Sequence, residues 1–384
     1  MKRKSFLAAG SAAAALGMSR PALADFGNPF AQQLTVGVSV PLSGDLARAG
    51  EQIVNGVRAA IEEANRMQGP LGRVFGLRTF DDQDELASAI QNVDFATADP
   101  SIIAMIGNLG GPITKATLPQ YANFQMPIVV PASTYDSITE LGYRNVWRLP
   151  TKDTVEGQLF ARFLESRKPK LALGVTQDGD YGYDVAKGFV AGSRLSHFNA
   201  DAYVFPFAKP DFALAAKTIL SKTPDFIYLC GKTKDMGPLI PALRAAGFTG
   251  LFGASDGFFN EGTLAYADSL SDVAISSSLP PLDRAPAVFQ ELSDFRSRYG
   301  QIGALGAFGY ASAQVIVQAA RRFGAADRLA MLSALRTGGA YNTLVGTMTF
   351  SATGDPVDPN LYFYTIAGGK FKFSKSARPS GFIL

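Results

Sequence analysis

The chain has 384 residues, of which 47% are hydrophobic and 18% are charged, with a formal net charge of +3. This composition is typical of a soluble globular protein with a sizeable core and excludes a disordered chain. Residues 1–24 hold four of the 36 basic residues and no acid, which leaves 32 basic against 33 acidic residues. Without a basic surplus, and without aromatic residues interleaved with basic ones, the sequence gives no indication of nucleic-acid binding.

The first 24 residues have the three parts of a secretory signal peptide. Lys2-Arg3-Lys4 is a basic start, Phe6 to Met18 is an apolar run, and Ala22-Leu23-Ala24 is a small-residue cleavage sequence. This order predicts cleavage after Ala24 and export, to the periplasm in a bacterium with two membranes. Cys230 is the only cysteine. We therefore expect no disulfide within the chain and no lipid or other stable membrane anchor.

Strands alternate with helices from residue 34 to about residue 149. Short apolar runs predict the strands, and apolar residues at helical spacing predict the helices between them. The predicted elements are strand Leu34–Val40, helix Glu51–Arg66, strand Gly76–Phe80, helix Asp84–Thr97, strand Ile102–Ile106, helix Thr114–Asn123 and strand Pro127–Val130. This order is typical of a parallel, doubly wound α/β sheet with right-handed crossovers.

The same alternation starts again after residue 150 and predicts a second α/β lobe of the same class. Its elements are helix Thr151–Ser166, strand Lys170–Val175, helix Gly182–Ser196, strand Asp201–Phe205, helix Asp211–Lys222, strand Phe226–Cys230, helix Lys234–Ala246 and a strand at Leu251-Phe252. Three helices then follow without new parallel strands, so we expect the chain to return to the first sheet. They are Ala287–Tyr299, Gly306–Phe323 and Ala326–Arg336.

The end of the chain predicts two more strands. Residues of Tyr341–Phe350 alternate between apolar and polar, and Leu361–Ile366 is a second strand-like run. Gly368-Gly369 after it predicts a hairpin turn.

Two loops after neighbouring predicted strands are candidates for a ligand site. The first, Gly107-Asn108-Leu109-Gly110-Gly111-Pro112, has glycines that let a ligand approach the backbone and a proline suited to the first turn of a helix. The second, Pro131-Ala132-Ser133-Thr134, offers two hydroxyl groups. Ligands bind at the carboxyl ends of strands in parallel α/β sheets. The two loops therefore predict a site for a small polar or anionic molecule.

The segment Gly253-Ala254-Ser255-Asp256-Gly257 matches the nucleophile elbow of serine hydrolases. That triad needs a histidine after the serine, whereas the only histidine, His197, comes before it. A hydrolase that uses Ser255 is the remaining enzyme alternative. Asp256 has two interpretations: it caps a turn, or it receives a ligand ammonium group.

Cofactor and metal motifs are incomplete. Gly231-Lys232-Thr233 lacks the glycine-rich turn of a phosphate-binding loop. The acidic run Asp81-Asp82-Gln83-Asp84 is more typical of helix capping than of a metal site. We therefore expect no catalytic residue, no cofactor and no metal, and a binding protein rather than an enzyme.

Five short motifs, in this order, resemble those of the periplasmic leucine/isoleucine/valine-binding proteins of ABC transporters. They are Val40-Pro41-Leu42-Ser43-Gly44, Asp81-Asp82, Pro131-Ala132-Ser133-Thr134, Asp180-Tyr181-Gly182 and Gly346-x-x-x-Phe350. The resemblance covers about residues 34–366 and implies two lobes with the ligand between them. It implies three crossings, near 149–152, 278–282 and 351–357. The lobes would then be residues 34–149 plus 279–352 and residues 150–278 plus 353–384.

The resemblance also implies which positions contact the ligand. The loops that hold the ligand carboxylate match Leu109-Gly110-Gly111 and Ala132-Ser133-Thr134. The acid that meets the ammonium group matches Asp256, and the tyrosine that packs on the ligand matches Tyr181. Lys232 replaces a second aromatic residue of the family. This replacement, with Ala49 in place of another aromatic residue and glycines in place of serines in the first loop, favours a ligand with a further anionic or neutral polar group.

As a function, the resemblance implies a periplasmic solute-binding receptor of an ABC importer. Its ligand would be a small carboxylate: a branched-chain or other amino acid, or a related acid or amide. The lobes would close on the ligand, and the closed form would be recognised by a membrane permease that works with its ATPase. A ligand sensor of the same fold, which passes its closed state to a signalling receptor, is the alternative.

Overall fold

The computed structural model describes residues 33–67, 74–177, 181–206, 208–270, 273–284 and 288–377. Four sequence expectations lie wholly or partly outside these residues. They are the signal peptide with its cleavage after Ala24, the helix break at residues 69–72, the loop residues 178–180 and the helix start at Ala287.

The first lobe is built on a five-stranded parallel sheet. Its elements are β1 (Leu34–Val40), α1 (Ala47–Arg66), β2 (Phe75–Asp81), α2 (Leu86–Ala98), β3 (Ile102–Gly107), α3 (Gly111–Asn123), β4 (Ile128–Val130), α4 (Ser137–Glu140) and β5 (Val146–Arg148). The strand order is β2-β1-β3-β4-β5. Every residue of β1 and β3 is buried, as expected where helices cover both faces of a parallel sheet. The doubly wound sheet is confirmed.

The second lobe repeats the alternation. Its elements are α5 (Asp153–Phe163), β6 (Ala172–Gln177), α6 (Tyr183–Leu195), β7 (Ala200–Phe205), α7 (Phe212–Ser221), β8 (Phe226–Leu229), α8 (Thr233–Met236), α9 (Leu239–Ala245), β9 (Leu251–Ala254) and β10 (Ala274–Ser277). A 3-10 helix, Glu261–Ser269, lies between β9 and β10. Strands β6 to β10 are parallel to one another.

The remaining elements serve both lobes. They are α10 (Phe289–Tyr299), α11 (Ala304–Phe323), α12 (Arg328–Thr337), β11 (Tyr341–Thr343), β12 (Gly346–Met348), β13 (Leu361–Ala367) and β14 (Lys370–Ala377). Strands β13 and β14 are antiparallel and extend the second sheet, whose order is β14-β13-β10-β9-β8-β6-β7. Gly368 and Gly369 both have positive φ angles, so the predicted hairpin turn is confirmed.

Helix α11 packs on α1, so the expected return of the chain to the first sheet is confirmed. Residues of both helices share one core with β1 and β3. The backbones approach so closely that a side chain on Gly56 would collide with the Gly306 carbonyl. Small residues at this crossing therefore fix the distance between the two helices.

Two predicted elements are wrong in form. Tyr341–Phe350 is not one strand but the hairpin β11–β12, because the chain reverses before Gly346, whose φ is 109°. Lys234–Ala246 is not one helix but α8 and α9. Pro238 lies between them and cannot donate the backbone hydrogen bond that a continuous helix requires.

The crossings between the lobes lie side by side. The Thr151 N–H donates to Ser278 Oγ at 2.9 Å, which joins the first crossing to the second. Gly354 and Asp355 bond to Arg148 at the end of β5, whereas β13 begins at residue 361 in the second sheet. Pro356 and Val357 still pair with Phe350 and Thr349. The third crossing near residues 351–357 and the lobe boundaries stay predictions.

Among the helices described, none alone is both long and apolar enough to cross a membrane. Helices α10 and α11 meet those criteria only when taken as a pair, and they are bent at 120° to each other.

Candidate functional site

The two predicted loops of the first lobe contact each other. Gly111 is the first residue of α3, and a Cβ atom on it would lie 2.7 Å from Tyr135 Cβ and 3.1 Å from Ser133 Oγ. A glycine is therefore required for the two loops to come together. Leu109 and Ala132 are partly buried and pack against the core of the lobe.

Hydrogen bonds between buried polar groups fix the position of the first loop. Asn108 is 1% exposed, and its side-chain amide donates to Asp82 Oδ2 at 2.9 Å. Thr114 bonds through its N–H and its hydroxyl to the Gly110 carbonyl. The acidic run predicted helix capping, but Asp82 does not cap α2. Its carboxylate instead accepts hydrogen bonds from the Asn108 amide and from the Asp84 N–H.

Ser133 and Thr134 differ in which of their hydrogen-bonding groups already have partners. Ser133 is buried, and its hydroxyl has no hydrogen-bond partner among the described residues. The Thr134 carbonyl accepts from Arg148 at 2.8 Å and from the Asp153 N–H at 3.0 Å. The loop is thus fixed through its backbone, while the Ser133 hydroxyl retains a hydrogen-bonding capacity that buried groups normally use.

Arg148 fixes this loop and was not recognised from the sequence. Its side chain is fully buried, donates to the Tyr135 carbonyl at 2.7 Å and pairs with Asp355 Oδ1 at 2.7 Å. It also donates to Thr139 Oγ1. One guanidinium group therefore joins the second site loop to the segment that leads into the third crossing.

The structure brings Tyr181, Lys232 and Asp256 together on the second lobe. The Tyr181 hydroxyl contacts Asp256 Oδ1 and accepts from the Gly257 N–H at 3.0 Å. The Lys232 ammonium group lies 5.8 Å from the centre of the Tyr181 ring. The three residues follow different strands, so their proximity results from the parallel sheet.

The Ser255 side chain has a structural role. It is fully buried, and its hydroxyl accepts from the Gly231 N–H at 3.1 Å and bonds to the Gly231 carbonyl at 3.2 Å. These bonds tie the end of β9 to the end of β8. Across the described residues, no group of three or more acidic, histidine or cysteine side chains is placed to hold a metal ion.

Two buried carboxyl groups on α5, Asp153 and Glu156, were missed from the sequence. Each residue is 1% exposed. Glu156 Oε1 accepts from the Asp256 N–H at 2.8 Å and from the Ser276 hydroxyl at 2.6 Å. The signal was present as two acids three positions apart beside Val155, on the face of a helix that packs into the lobe.

Burial controls the protonation of these acids. It raises the pKa of Glu156 well above its usual range, and the nearby Asp256 carboxyl raises it further. Burial likewise raises the pKa of Asp153 well above its usual range, although a hydrogen bond from Thr134 opposes the rise. Burial raises the pKa of Asp256 too, against the effect of the Tyr181 hydroxyl.

Asp153 connects the two halves of the site. Its N–H bonds to the Thr134 carbonyl of the first lobe, and the charge of Asp256 on the second lobe contributes to the raised pKa of its carboxyl. Hydroxyl and N–H groups thus lie on the first-lobe side of Asp153, and the carboxyl groups of Glu156 and Asp256 lie on its second-lobe side.

Comparison with known proteins agrees with this architecture. The sequence model of a family described as periplasmic binding protein matches residues 33–370. A Leu/Ile/Val-binding protein homolog of Brucella melitensis is 25% identical over 362 residues, which cover 93% of this chain and 96% of the relative.

Two solved structures share the fold. The leucine-binding protein of Thermotoga maritima superposes with a TM-score of 0.80 at 22% identity, over 91% of this chain and all of that one. A solute-binding protein of Rhodopseudomonas palustris in complex with benzoate superposes with a TM-score of 0.75 at 20% identity, over 89% of this chain and 95% of that one.

Proposed function

Because the chain belongs to the periplasmic binding protein family, we propose that it is the solute-binding receptor of an ABC importer. Family membership is consistent with a periplasmic location. Residues 1–24 serve as the signal peptide, and the mature protein begins after Ala24. Its partners are a membrane permease and the ATPase of that permease. They recognise the form in which ligand holds the two lobes together.

We propose that the ligand is a small amino acid or a related carboxylate, bound between the lobes. The observation that carries this proposal is that the first lobe supplies hydroxyl and N–H groups, whereas the second lobe supplies a carboxyl group. The Ser133 hydroxyl, which is buried without a partner in the described segments, and the Gly110-Gly111 start of α3 suit a carboxylate. Asp256 suits an ammonium group. Lys232 beside Tyr181 favours a ligand whose side chain is polar or anionic. In the binding experiments below, L-leucine therefore tests only the carboxylate and ammonium contacts, and the best amino acid of the thermal-shift screen replaces it if leucine does not bind.

A thermal-shift screen tests this function. The panel contains amino acids, dicarboxylates, aromatic acids and amides, added to purified residues 25–384. A compound present at 100 times its Kd stabilises the folded protein by about 2.7 kcal/mol. We expect one or more amino acids to raise the melting temperature. If no amino acid or small carboxylate in the panel does so, the proposal is wrong.

Replacing Ser133 by alanine should weaken carboxylate binding without destabilising the free protein. Within the described part of the chain the hydroxyl has no partner to lose, whereas a hydrogen bond to a charged group contributes about 1.5 to 3 kcal/mol, equivalent to about tenfold or more in affinity. Adding Thr134→Ala should increase the loss.

Titration calorimetry with L-leucine and a denaturant melt measure the two effects of Ser133→Ala. Ser137→Ala is the matched control, since the Ser137 hydroxyl is also buried without a partner among the residues described, but lies on α4. Unchanged affinity in the Ser133 variant would remove this residue from the site.

Two ion pairs link the lobes beside the proposed site. Arg48 at the start of α1 pairs with Glu261 at 3.0 Å, and Asp45 pairs with Lys234 on α8 at 3.2 Å. Each pair joins a segment that follows β1 to one that follows a strand of the second sheet. Both pairs are largely exposed, so each contributes little, but together they favour the closed arrangement.

Reversing one of these charges should weaken ligand binding modestly. Lys234→Asp places two acids opposite each other, and we expect a loss of less than about fivefold in L-leucine affinity at low salt, which disappears at high salt. Adding Asp45→Lys should restore the affinity. A double variant that binds no better than Lys234→Asp would show that the pair does not act in closure.

A further inference from the structure

The first turn of α5, a helix of the second lobe, is capped by groups of the first lobe. Lys152, the residue before α5, makes no capping bond with its own side chain. The first N–H groups of a helix have no partner within the helix, so they need acceptors elsewhere. The Asp153 N–H donates to the Thr134 carbonyl at 3.0 Å, and the Thr154 N–H donates to Asp136 Oδ1 at 3.1 Å. Both acceptors come from the second site loop and the residues directly after it.

Both carboxylate oxygens of Asp136 bind α5. Oδ1 accepts from the Thr154 N–H, and Oδ2 contacts the Thr154 hydroxyl. Asp136 is also the residue before α4, but its side chain makes no capping bond to that helix. It is 6% exposed, which shields these bonds from water. Because a carboxylate is stabilised at the start of a helix, Asp136 acts as the cap of α5, although 18 positions separate it from Thr154.

The body of α5 is fixed in the second lobe. Its backbone approaches that of α6 so closely that a side chain on Gly188 would collide with the Thr154 carbonyl, and a side chain on Gly157 would collide with the Val185 carbonyl. Such close packing allows little sliding between two helices. Helix α5 is therefore part of the second lobe from its first turn onwards.

The same turn of α5 holds the backbone at Asp256. Glu156 Oε1 accepts from the Asp256 N–H at 2.8 Å and from the Ser276 hydroxyl at 2.6 Å. Asp153, which bonds to the second site loop, lies three residues before Glu156, a rise of about 4.5 Å along the helix. The loop with the Ser133 hydroxyl and the backbone of Asp256 are therefore attached to one helical turn.

On the basis of the proposed function, we propose that Asp136 is a positioning residue for ligand binding. By capping α5 from the first lobe, it holds the second site loop and Asp256 at a fixed separation. A ligand then meets the groups for its carboxylate and its ammonium already in place, and no affinity is lost in ordering them. The Asp136 oxygens bind Thr154, so Asp136 acts on the ligand only through this arrangement.

A fixed separation favours one spacing between the two charged groups of the ligand. L-Leucine carries its carboxylate and its ammonium group on the same carbon, whereas β-homoleucine has one more carbon between them. A rigid site cannot adapt to both spacings. We therefore expect the wild type to prefer L-leucine over β-homoleucine by about tenfold or more.

Asp136→Ala should lower L-leucine affinity by about tenfold and reduce this preference to about threefold or less. Asp136→Asn should keep both wild-type values, because asparagine retains an acceptor oxygen for the Thr154 N–H. The matched control is Asp211→Ala. Asp211 caps α7 of the same lobe by accepting from the Leu214 N–H at 2.9 Å, and α7 carries no residue of the proposed site. Titration calorimetry with both ligands measures these effects.

Hydrogen–deuterium exchange in the free protein tests the arrangement without a ligand. Backbone N–H groups exchange faster when the bonds that hold them open more often. We expect Asp136→Ala to raise the exchange of two peptides, residues 153–157 and residues 254–258, whereas Asp211→Ala should raise only that of residues 211–216. If Asp136→Ala does not fold, Thr154→Val makes the same comparison, because valine keeps the N–H and loses the hydroxyl that contacts Asp136.

Three results would overturn the proposal: exchange of residues 254–258 stays at the wild-type rate in Asp136→Ala, the preference for L-leucine over β-homoleucine is unchanged in that variant, or Asp211→Ala loses as much affinity as Asp136→Ala. If no amino acid binds the wild type, the proposed function has failed instead. The exchange of residues 254–258 then decides alone whether Asp136 positions Asp256.

Discussion

Asp256→Asn is expected to weaken L-leucine binding by about 30-fold or more, because removing one partner of a buried charge pair costs about 2 to 5 kcal/mol. The ligand ammonium group would then enter the cleft without a carboxylate to receive it. The neutral amide can still bond to the Tyr181 hydroxyl, which contacts Asp256 in the free protein. The loss should therefore appear in affinity rather than in stability.

Titration calorimetry of the wild type and Asp256→Asn measures this effect. Asp268→Asn is the control, since Asp268 is exposed on the same lobe, on the 3-10 helix that follows Asp256. If Asp256→Asn binds L-leucine within about twofold of the wild type, a difference of less than about 0.5 kcal/mol, Asp256 does not receive the ammonium group.

Arg148→Ala should lower the free energy of unfolding by about 3 to 5 kcal/mol, as expected when a buried ion pair loses one partner. The variant leaves Asp355 without its cation and removes one of the donors to each of the Thr134 and Tyr135 carbonyls. Since these carbonyls belong to the second site loop, L-leucine affinity should fall as well.

Urea unfolding measures the loss of stability. Arg78→Ala is the matched control: Arg78 also pairs with an aspartate, Asp99, at 2.7 Å, but its side chain is 50% exposed. We expect the control to cost about 1 kcal/mol or less. Equal losses of stability in the two variants would mean that the burial of Arg148 does not increase the contribution of its ion pair.

Glu156 also makes the stability of the free protein depend on pH. Because burial raises its pKa in the folded state, its contribution is fully present below the unfolded-state pKa and is lost as pH rises through the folded-state value. Glu156→Gln removes this loss. Thermal melts should therefore show the variant gaining stability over the wild type as pH rises; a constant difference between them would contradict the assignment.

Most of the fold could be predicted because its strands are long or apolar. Strand β3 is a continuous apolar run, and α1 carries a regular apolar stripe. Strands β5 and β10 were missed because they are three and four residues long and are completed by Arg148 and by Ser276-Ser277. Such segments become strands only through pairing with neighbours that are distant in sequence.

The candidate site, like the fold, could be predicted from the sequence only in part. Its loops could be predicted from the rule that parallel sheets bind ligands at the carboxyl ends of their strands, together with local glycine and hydroxyl composition. Arg148 and Glu156 could not, because their roles depend on burial. The partner of Arg148, Asp355, lies 207 positions away, and that of Glu156, Ser276, lies 120 positions away. Whether the predicted residues contact a ligand stays a prediction.

A crystal structure of residues 25–384 grown with L-leucine tests the central claim most directly. We expect one amino acid between the lobes, with its carboxylate within hydrogen-bond distance of Ser133 Oγ and its ammonium group on Asp256. Leucine, or the best amino acid of the thermal-shift screen in its place, bound outside the cleft or in the reverse orientation would contradict the account.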